Sequence, residues 1–161
     1  FKEWCSNPAK WTGLGKPEYK VDEGYKWLLG DQPRVKWAGI PWARPVHPRH
    51  GFIVWVMLQN RTPTKVRLSK FLFYLDTTCA LCHQAPEDAP HLFYECSYAK
   101  EIWANLNLWW KLPMNSTSWT EFISNLMDTK GRVKASITYA IFAAGIYYIW
   151  RAWNKAQFEQ K

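Results

Sequence analysis

The sequence predicts a mainly α-helical fold: a small helical domain carrying a loop-like Cys-Cys-His-Cys insert and ending in a long C-terminal helix. Three observations lead there. Apolar residues recur at helical spacing in several stretches that open on Pro, Ser or Thr. Three of the four cysteines and two of the four histidines fall within residues 79–96, a Pro-punctuated stretch without helical period. Residues 131–158 form one unbroken run, apolar through its middle.

With 161 residues, 48% of them hydrophobic, the chain is long enough for one compact domain or a domain with an appended helical hairpin. The expected organisation is a lead-in segment with a short helix over 1–31, basic helices plus the Cys/His module over 32–110, and a helical segment over 111–161 that packs on the module. The chain opens on Phe1 without a signal-peptide pattern and reads as a fragment or processed product.

Residues 1–20 hold Pro8, Gly13, Gly15 and Pro17 without a sustained period and read as loop. "VDEGYKWLLG" predicts a short helix with Asp22 as N-cap and Gly30 as its stop. "RVKWAGIPW" predicts a turn or two of helix ending near Pro41. "HPRHGFIVWVMLQN" places Pro48 in a first turn and sets Phe52, Trp55, Val56 and Gln59 along one side, a buried helix of about three turns. In "RTPTKVRLSKFLFY", Thr62 can cap and Pro63 can take the first helical position. Val66, Leu68, Leu72 and Phe73 then supply an apolar side, with Lys65, Arg67 and Lys70 left to solvent or a partner.

"SYAKEIWANLNLWW" predicts a helix with Ile102, Trp103 and Leu106 inward, and "SWTEFISNLM" opens on Ser118 and Glu121 in capping-box spacing. In the last run, residues 137–150 carry no charge but number only 14 before Arg151. A membrane-spanning helix needs roughly 20 apolar residues, so a core helix is expected.

The net charge of +8 is regional. Between residues 32 and 75 there is no Asp or Glu, while Arg34, Lys36, Arg44, Arg49, Arg61, Lys65, Arg67 and Lys70 lie inside. The remaining 13 basic residues balance 13 acidic ones. The same segment carries Trp37, Trp42, Phe52 and Trp55, and the chain has 12 Trp in all, a residue that buries a large ring yet keeps an N–H in need of a partner. Cations that hold phosphates beside rings that stack on bases are the composition of a nucleic-acid surface. The expected contacts are Arg44, Arg49, Arg61, Lys65, Arg67 and Lys70, with Trp37, Trp42 and Trp55 as stacking or packing rings; the competing account is a solvated helical face that lacks acids.

"CALCHQAPEDAPHLFYEC" has metal-ligand spacing. A CxxC turn presents two thiolates to one ion, and His91 and Cys96 can complete a tetrahedral set if the chain turns helical there, so Cys79, Cys82, His91 and Cys96 are the expected ligands of one Zn²⁺. His83, beside Cys82, is a rival ligand in an awkward position. Four protein ligands leave no open position, which makes the site structural and its contribution to folding about 10–16 kcal/mol. The competing account is a set of buried thiols beside a core histidine.

Catalysis has no support in the motifs. Two-metal nucleotidyl transfer needs clustered carboxylates, and the adjacent acids here are Asp22-Glu23 at a helix start and Glu87-Asp88 inside the Cys/His loop. There is no Gly-rich phosphate loop, and Cys5 has no signature of a histidine partner. A non-enzymatic protein is expected.

The order "PRHGFIVWVMLQNRTPTKVRLSKF", "CALCHQAPEDAPHLFYECSYAKEIW" and "GIYYIWRAWNKAQF" resembles the zinc-binding reverse-transcriptase-associated domain of plant LINE-type retroelements. Pro48, Phe52, Trp55, Arg61, Thr64, Arg67, Leu68, Cys79, Cys82, Glu87, His91, Leu92, Phe93, Cys96 and Trp103 match its pattern, over nearly the whole chain. Two positions depart: Asp88 follows Glu87 where the family has Thr, and Trp153-Asn154 stands for a late Arg-Asn pair. Neither touches a ligand.

The resemblance implies a non-catalytic accessory module of a reverse transcriptase that binds nucleic acid, RNA more than DNA, in the nucleus if the element is intact. The alternative is a co-opted stand-alone copy serving as a structural subunit of a plant ribonucleoprotein such as a mitochondrial or plastid ribosome, in contact with protein subunits as well as RNA. Neither reading involves a membrane.

Overall fold

The structure, a computed structural model, describes residues 21–30, 35–112 and 116–159. The loop expected over 1–20, Cys5 and Arg34 lie outside those residues. The chain divides into two compact units, Phe1–Val35 and Lys36–Lys161.

In the first unit, α1 spans Val21–Leu29. Asp22, expected at the N-cap, lies inside the first turn instead, where its carboxylate meets Lys26 one turn on at 3.5 Å. Both side chains are solvated, so the pair adds at most a few tenths of a kcal/mol, about 0.3–0.5. Gly30 ends the helix as expected: its φ of +64° is the left-handed conformation that terminates helices, and its N–H donates to the Lys26 carbonyl at 3.1 Å.

The second unit begins with a 3₁₀ turn, Lys36–Gly39, followed by buried Ile40 and Pro41. Helix α2, Pro48–Leu58, starts where Pro48 fixes it, with the His47 imidazole accepting from the Arg49 N–H at 3.3 Å. The face it buries is not the expected one. Gly51, Val54 and Met57 are inside, Trp55 and Val56 are half-buried and Phe52 is exposed. The cause is a close backbone approach: a Cβ on Gly51 would lie 2.3 Å from the Pro41 carbonyl oxygen, so only glycine lets the helix sit on that turn. With Gly51 inward, Phe52 is carried outward by about 100° of helical rotation.

A second expectation fails at α3, which is a single turn, Lys65–Leu68. Thr64, not Thr62, precedes it, and Leu68, Leu72 and Phe73 are exposed, Phe73 at 90%. The Ser69 hydroxyl donates back to the Val66 carbonyl at 3.0 Å, a local bond that competes with continuing the helix.

The core is built by α4, Ser97–Trp109, α5, Trp119–Met127, and α6, Arg132–Phe158, with α6 packed against α2, α4 and α5. Trp103 sits at its centre as expected, fully buried, with the Phe122 and Phe142 rings at 5.6 and 5.8 Å. Gly145 makes room for it, because a Cβ there would lie 2.6 Å from the indole. Ser118 caps α5 by accepting from the Glu121 N–H at 3.3 Å. Glu121 reaches one residue further out than a capping box requires, accepting from the N–H and hydroxyl of Thr117, each at 2.8 Å. Helix α6 is long and apolar enough to cross a membrane by length and composition. Its Phe142, Ala143, Ile146, Ile149 and Trp153, however, form an inward stripe that belongs to the common core.

Candidate metal centre

The first half of the site is a tight loop. Asp76 opens it, accepting from the Thr78 N–H and hydroxyl at 2.9 and 2.7 Å, and Thr78 bridges Pro86 in antiparallel fashion. Inside that bridge the Cys79 N–H donates to the Ala85 carbonyl at 2.9 Å and the His83 N–H to the Cys79 carbonyl at 3.0 Å. The turn closes because His83 takes φ +55°, a conformation that glycine adopts more readily. The side chain of His83 is exposed and stands outside the cluster, which removes it as a ligand.

The second half is a π-helical turn, His91–Glu95, rather than an α-helical one. In an α-helix two residues five apart point about 140° away from each other. The i→i+5 bond from the Cys96 N–H to the His91 carbonyl, 2.7 Å, closes that angle and brings both side chains to one point. Asp88 starts the turn, its carboxylate accepting from the His91 N–H at 2.7 Å. The Trp103 indole N–H holds it from the core side by donating to the Phe93 carbonyl at 2.7 Å. Cys96 then falls at the start of α4, where the N–H groups of Tyr98 and Ala99 point at its sulfur.

The four donor atoms, Sγ of Cys79, Cys82 and Cys96 and a ring nitrogen of His91, lie within 4.8 Å of one another, with Cys82 Sγ and His91 Nε2 at 3.2 Å. Tetrahedral zinc with Zn–S near 2.3 Å and Zn–N near 2.0 Å has ligand–ligand edges of about 3.4–3.8 Å. The donor set and its spacing therefore fit one zinc ion. Cys79 and Cys96 are fully buried, and Cys82 and His91 half-buried. All three cysteines are free thiols.

Before a cation's charge enters, the thiols differ sharply. Burial pushes Cys79 up to about 12, against the partial relief of the Cys82 and Leu81 N–H groups. Burial also raises Cys96. At Cys82 burial acts in the same sense but is outweighed by the Gln84 N–H, His91 and the neighbouring cysteines, which bring the thiol down to about 7. Cys82 is thus the thiolate available first at neutral pH, and the buried pair ionises against the ion's charge.

Glu87 is the residue whose role the sequence did not disclose. Its carboxylate is completely buried; Oε1 accepts from the Lys65 N–H and Oε2 from the Ala80 N–H, each at 3.0 Å. Its main chain continues the clamp, accepting from the Val66 N–H at 3.1 Å and donating to the Thr77 carbonyl at 2.8 Å. One side chain therefore ties the start of α3 to the CxxC turn. An acid pair, Glu87-Asp88, set between Pro86 and Pro90 in an otherwise apolar stretch was the available signal.

The residues expected at a nucleic-acid surface separate into two groups. Arg44, Arg49, Arg61 and Lys70 are exposed and make no ion pair among the described residues, and Trp42 is 63% exposed. Lys65 and Arg67 are engaged within the chain, donating to the carbonyls of Thr78 and Asn60. Trp37 is half-buried against the core, and Trp55 is half-buried with its ring 5.9 Å from that of Phe52.

A helical scaffold that gathers three thiols and an imidazole into one closed tetrahedral set defines a structural zinc-binding module. Residues 19–103 match the family described as zinc-binding in reverse transcriptase, a span that runs from α1 to Trp103 and includes all four donors, and the chain belongs to that family. No curated protein and no solved structure matches it.

Proposed function

We propose that this chain is a non-catalytic, zinc-stabilised module that binds nucleic acid, RNA in preference to DNA, as an accessory part of a reverse-transcriptase system. Cys79, Cys82, His91 and Cys96 would hold the ion, which supplies cross-linking and no chemistry, since four protein ligands leave no position for water or substrate. The observation that carries the reading is the set of exposed cations, Arg44, Arg49, Arg61 and Lys70, that make no ion pair among the described residues and stand on a segment without a single acid. Fixed, exposed positive charge attracts polyphosphate and releases its condensed cations on binding.

The test is the salt dependence of binding to single-stranded RNA. Four phosphate contacts give a log–log slope of about −3, so affinity falls about fifty-fold between 50 and 200 mM salt. Binding that does not change over that range, or no binding at 50 mM, refutes the proposal.

A further inference from the structure

The solvent side of α2 and α6 carries an open cleft of about 480 Å³, lined by Pro48, Arg49, Phe52, Ile53, Tyr147 and Trp150. That is within the roughly 300–1,000 Å³ of small-molecule binding clefts. Its walls are aromatic and cationic and contain no acid. Neither helix has an Asp or Glu anywhere along its length, whereas α2 contributes Arg49 and α6 contributes Arg132, Lys134, Arg151 and Lys155. Stacked rings continue past the rim: the His50 imidazole lies on Tyr147 with centroids 4.4 Å apart and planes 27° apart, and Tyr148 meets His50 edge-on at 6.2 Å.

Phe52 is turned into this cleft and away from the core by Gly51, whose contact with Pro41 fixes the helix face. A large ring held outward beside an exposed arginine that makes no ion pair among the described residues is a poor solvent surface and a good stacking surface. A base stacks on an aromatic face whatever its identity, while its phosphate is held by a neighbouring cation. A duplex keeps its bases stacked on one another, so only an unpaired strand can offer one to the cleft.

We infer that the α2–α6 cleft is a base-stacking platform for single-stranded nucleic acid, with Phe52 and Tyr147 as its rings and Arg49 as its phosphate contact. The inference rests on the nucleic-acid reading above and adds its location and the form of the ligand.

The test uses fluorescence anisotropy with labelled oligonucleotides of roughly 12 nucleotides, within the site sizes of single-strand binders. Single-stranded RNA, single-stranded DNA of the same sequence and the corresponding RNA duplex are compared. Phe52→Ala, at an exposed position, and Tyr147→Leu, which keeps apolar volume but removes the ring, are each checked for one zinc per chain. Each is expected to weaken both single strands by about 5- to 150-fold and to leave the duplex unchanged. Arg49→Ala is expected to weaken all three. Equal affinity for the RNA and DNA strands assigns the contact to stacking alone, and tighter RNA adds the 2′-hydroxyl; both support the platform. If Phe52→Ala and Tyr147→Leu bind single strands as the unmodified chain does, the cleft is not the platform although the nucleic-acid reading stands, and a protein segment becomes its better occupant. If the unmodified chain binds none of the three, both fall together.

Discussion

Replacing Glu87 by Ala tests whether the zinc loop and the basic segment are one mechanical unit. The carboxylate accepts from two main-chain N–H groups, Lys65 and Ala80, at 3.0 Å each, and is itself wholly out of solvent. Removing it leaves both donors without their partner. A buried polar group left unsatisfied costs about 1–3 kcal/mol, so the expected loss is about 2–6 kcal/mol, a large share of the stability of any small domain. Glu87→Gln keeps one acceptor oxygen and sets an NH₂ against the other donor, so it should lose roughly half as much. The assay is urea unfolding at saturating zinc, read as a midpoint shift at constant slope, together with zinc affinity by competition. Partners that orient a ligand's loop typically change metal affinity 10- to 100-fold, and a loss of about that size is expected for Glu87→Ala. A stability change below about 0.5 kcal/mol with unchanged zinc affinity would refute the clamp, since that is the range of an ordinary surface substitution.

Three further outcomes are expected. Cys79→Ser or His91→Ala should lower bound zinc, measured by elemental analysis, well below one ion per chain, whereas His83→Ala should leave it at one because His83 lies outside the cluster. Zinc affinity should rise with pH: with Cys79 near 12, Cys96 raised and Cys82 near 7, binding displaces about three thiol protons below pH 7 and about two above it. The slope of log affinity against pH, from competition titrations, should flatten accordingly near pH 7. Gly51→Ala should destabilise by about 1–3 kcal/mol in urea because its methyl would meet a main-chain oxygen that cannot swing aside, while Gly39→Ala, with nothing within 4 Å, should be close to neutral.

What could be read from the sequence was what local chemistry dictates. Pro48 started α2, Gly30 stopped α1, Ser118 capped α5 and the CxxC, His and Cys spacing gathered one donor set, because each of these acts through its immediate neighbours. The errors lie where a distant contact decides. Residues 52–58 are apolar on every side, so no polar face marked which stripe is buried, and the choice fell to Gly51 against Pro41. The alternation of cations and apolar residues after Pro63 reads as an amphipathic helix, but that turn is anchored by Glu87 at its start and stops after Leu68. The π-helical turn at His91 is equally invisible from spacing. It follows from the need to bring His91 and Cys96 together, with Trp103 holding the Phe93 carbonyl.

The basic segment thereby does two different jobs that composition alone merges. Lys65 is bound to the metal loop through the Thr78 carbonyl and Arg67 to the turn after α2 through the Asn60 carbonyl, and the start of α3 hangs on Glu87, whose other contact is the CxxC turn. That half of the segment has no packed face of its own, since Leu68, Leu72 and Phe73 are exposed, so its position derives from the metal loop. A structural zinc contributes about 10–16 kcal/mol to folding, as much as or more than the whole stability of an ordinary domain, which is ample to fix a loop with a single β-bridge. Arg49 is placed by other means. It stands on α2, whose Gly51, Val54 and Met57 are buried and whose packing partner is α6. The ion therefore governs how the turn after α3 presents Lys70, whereas the hydrophobic core governs the α2–α6 cleft. A single metal centre organises only the part of the charged surface that the core cannot reach.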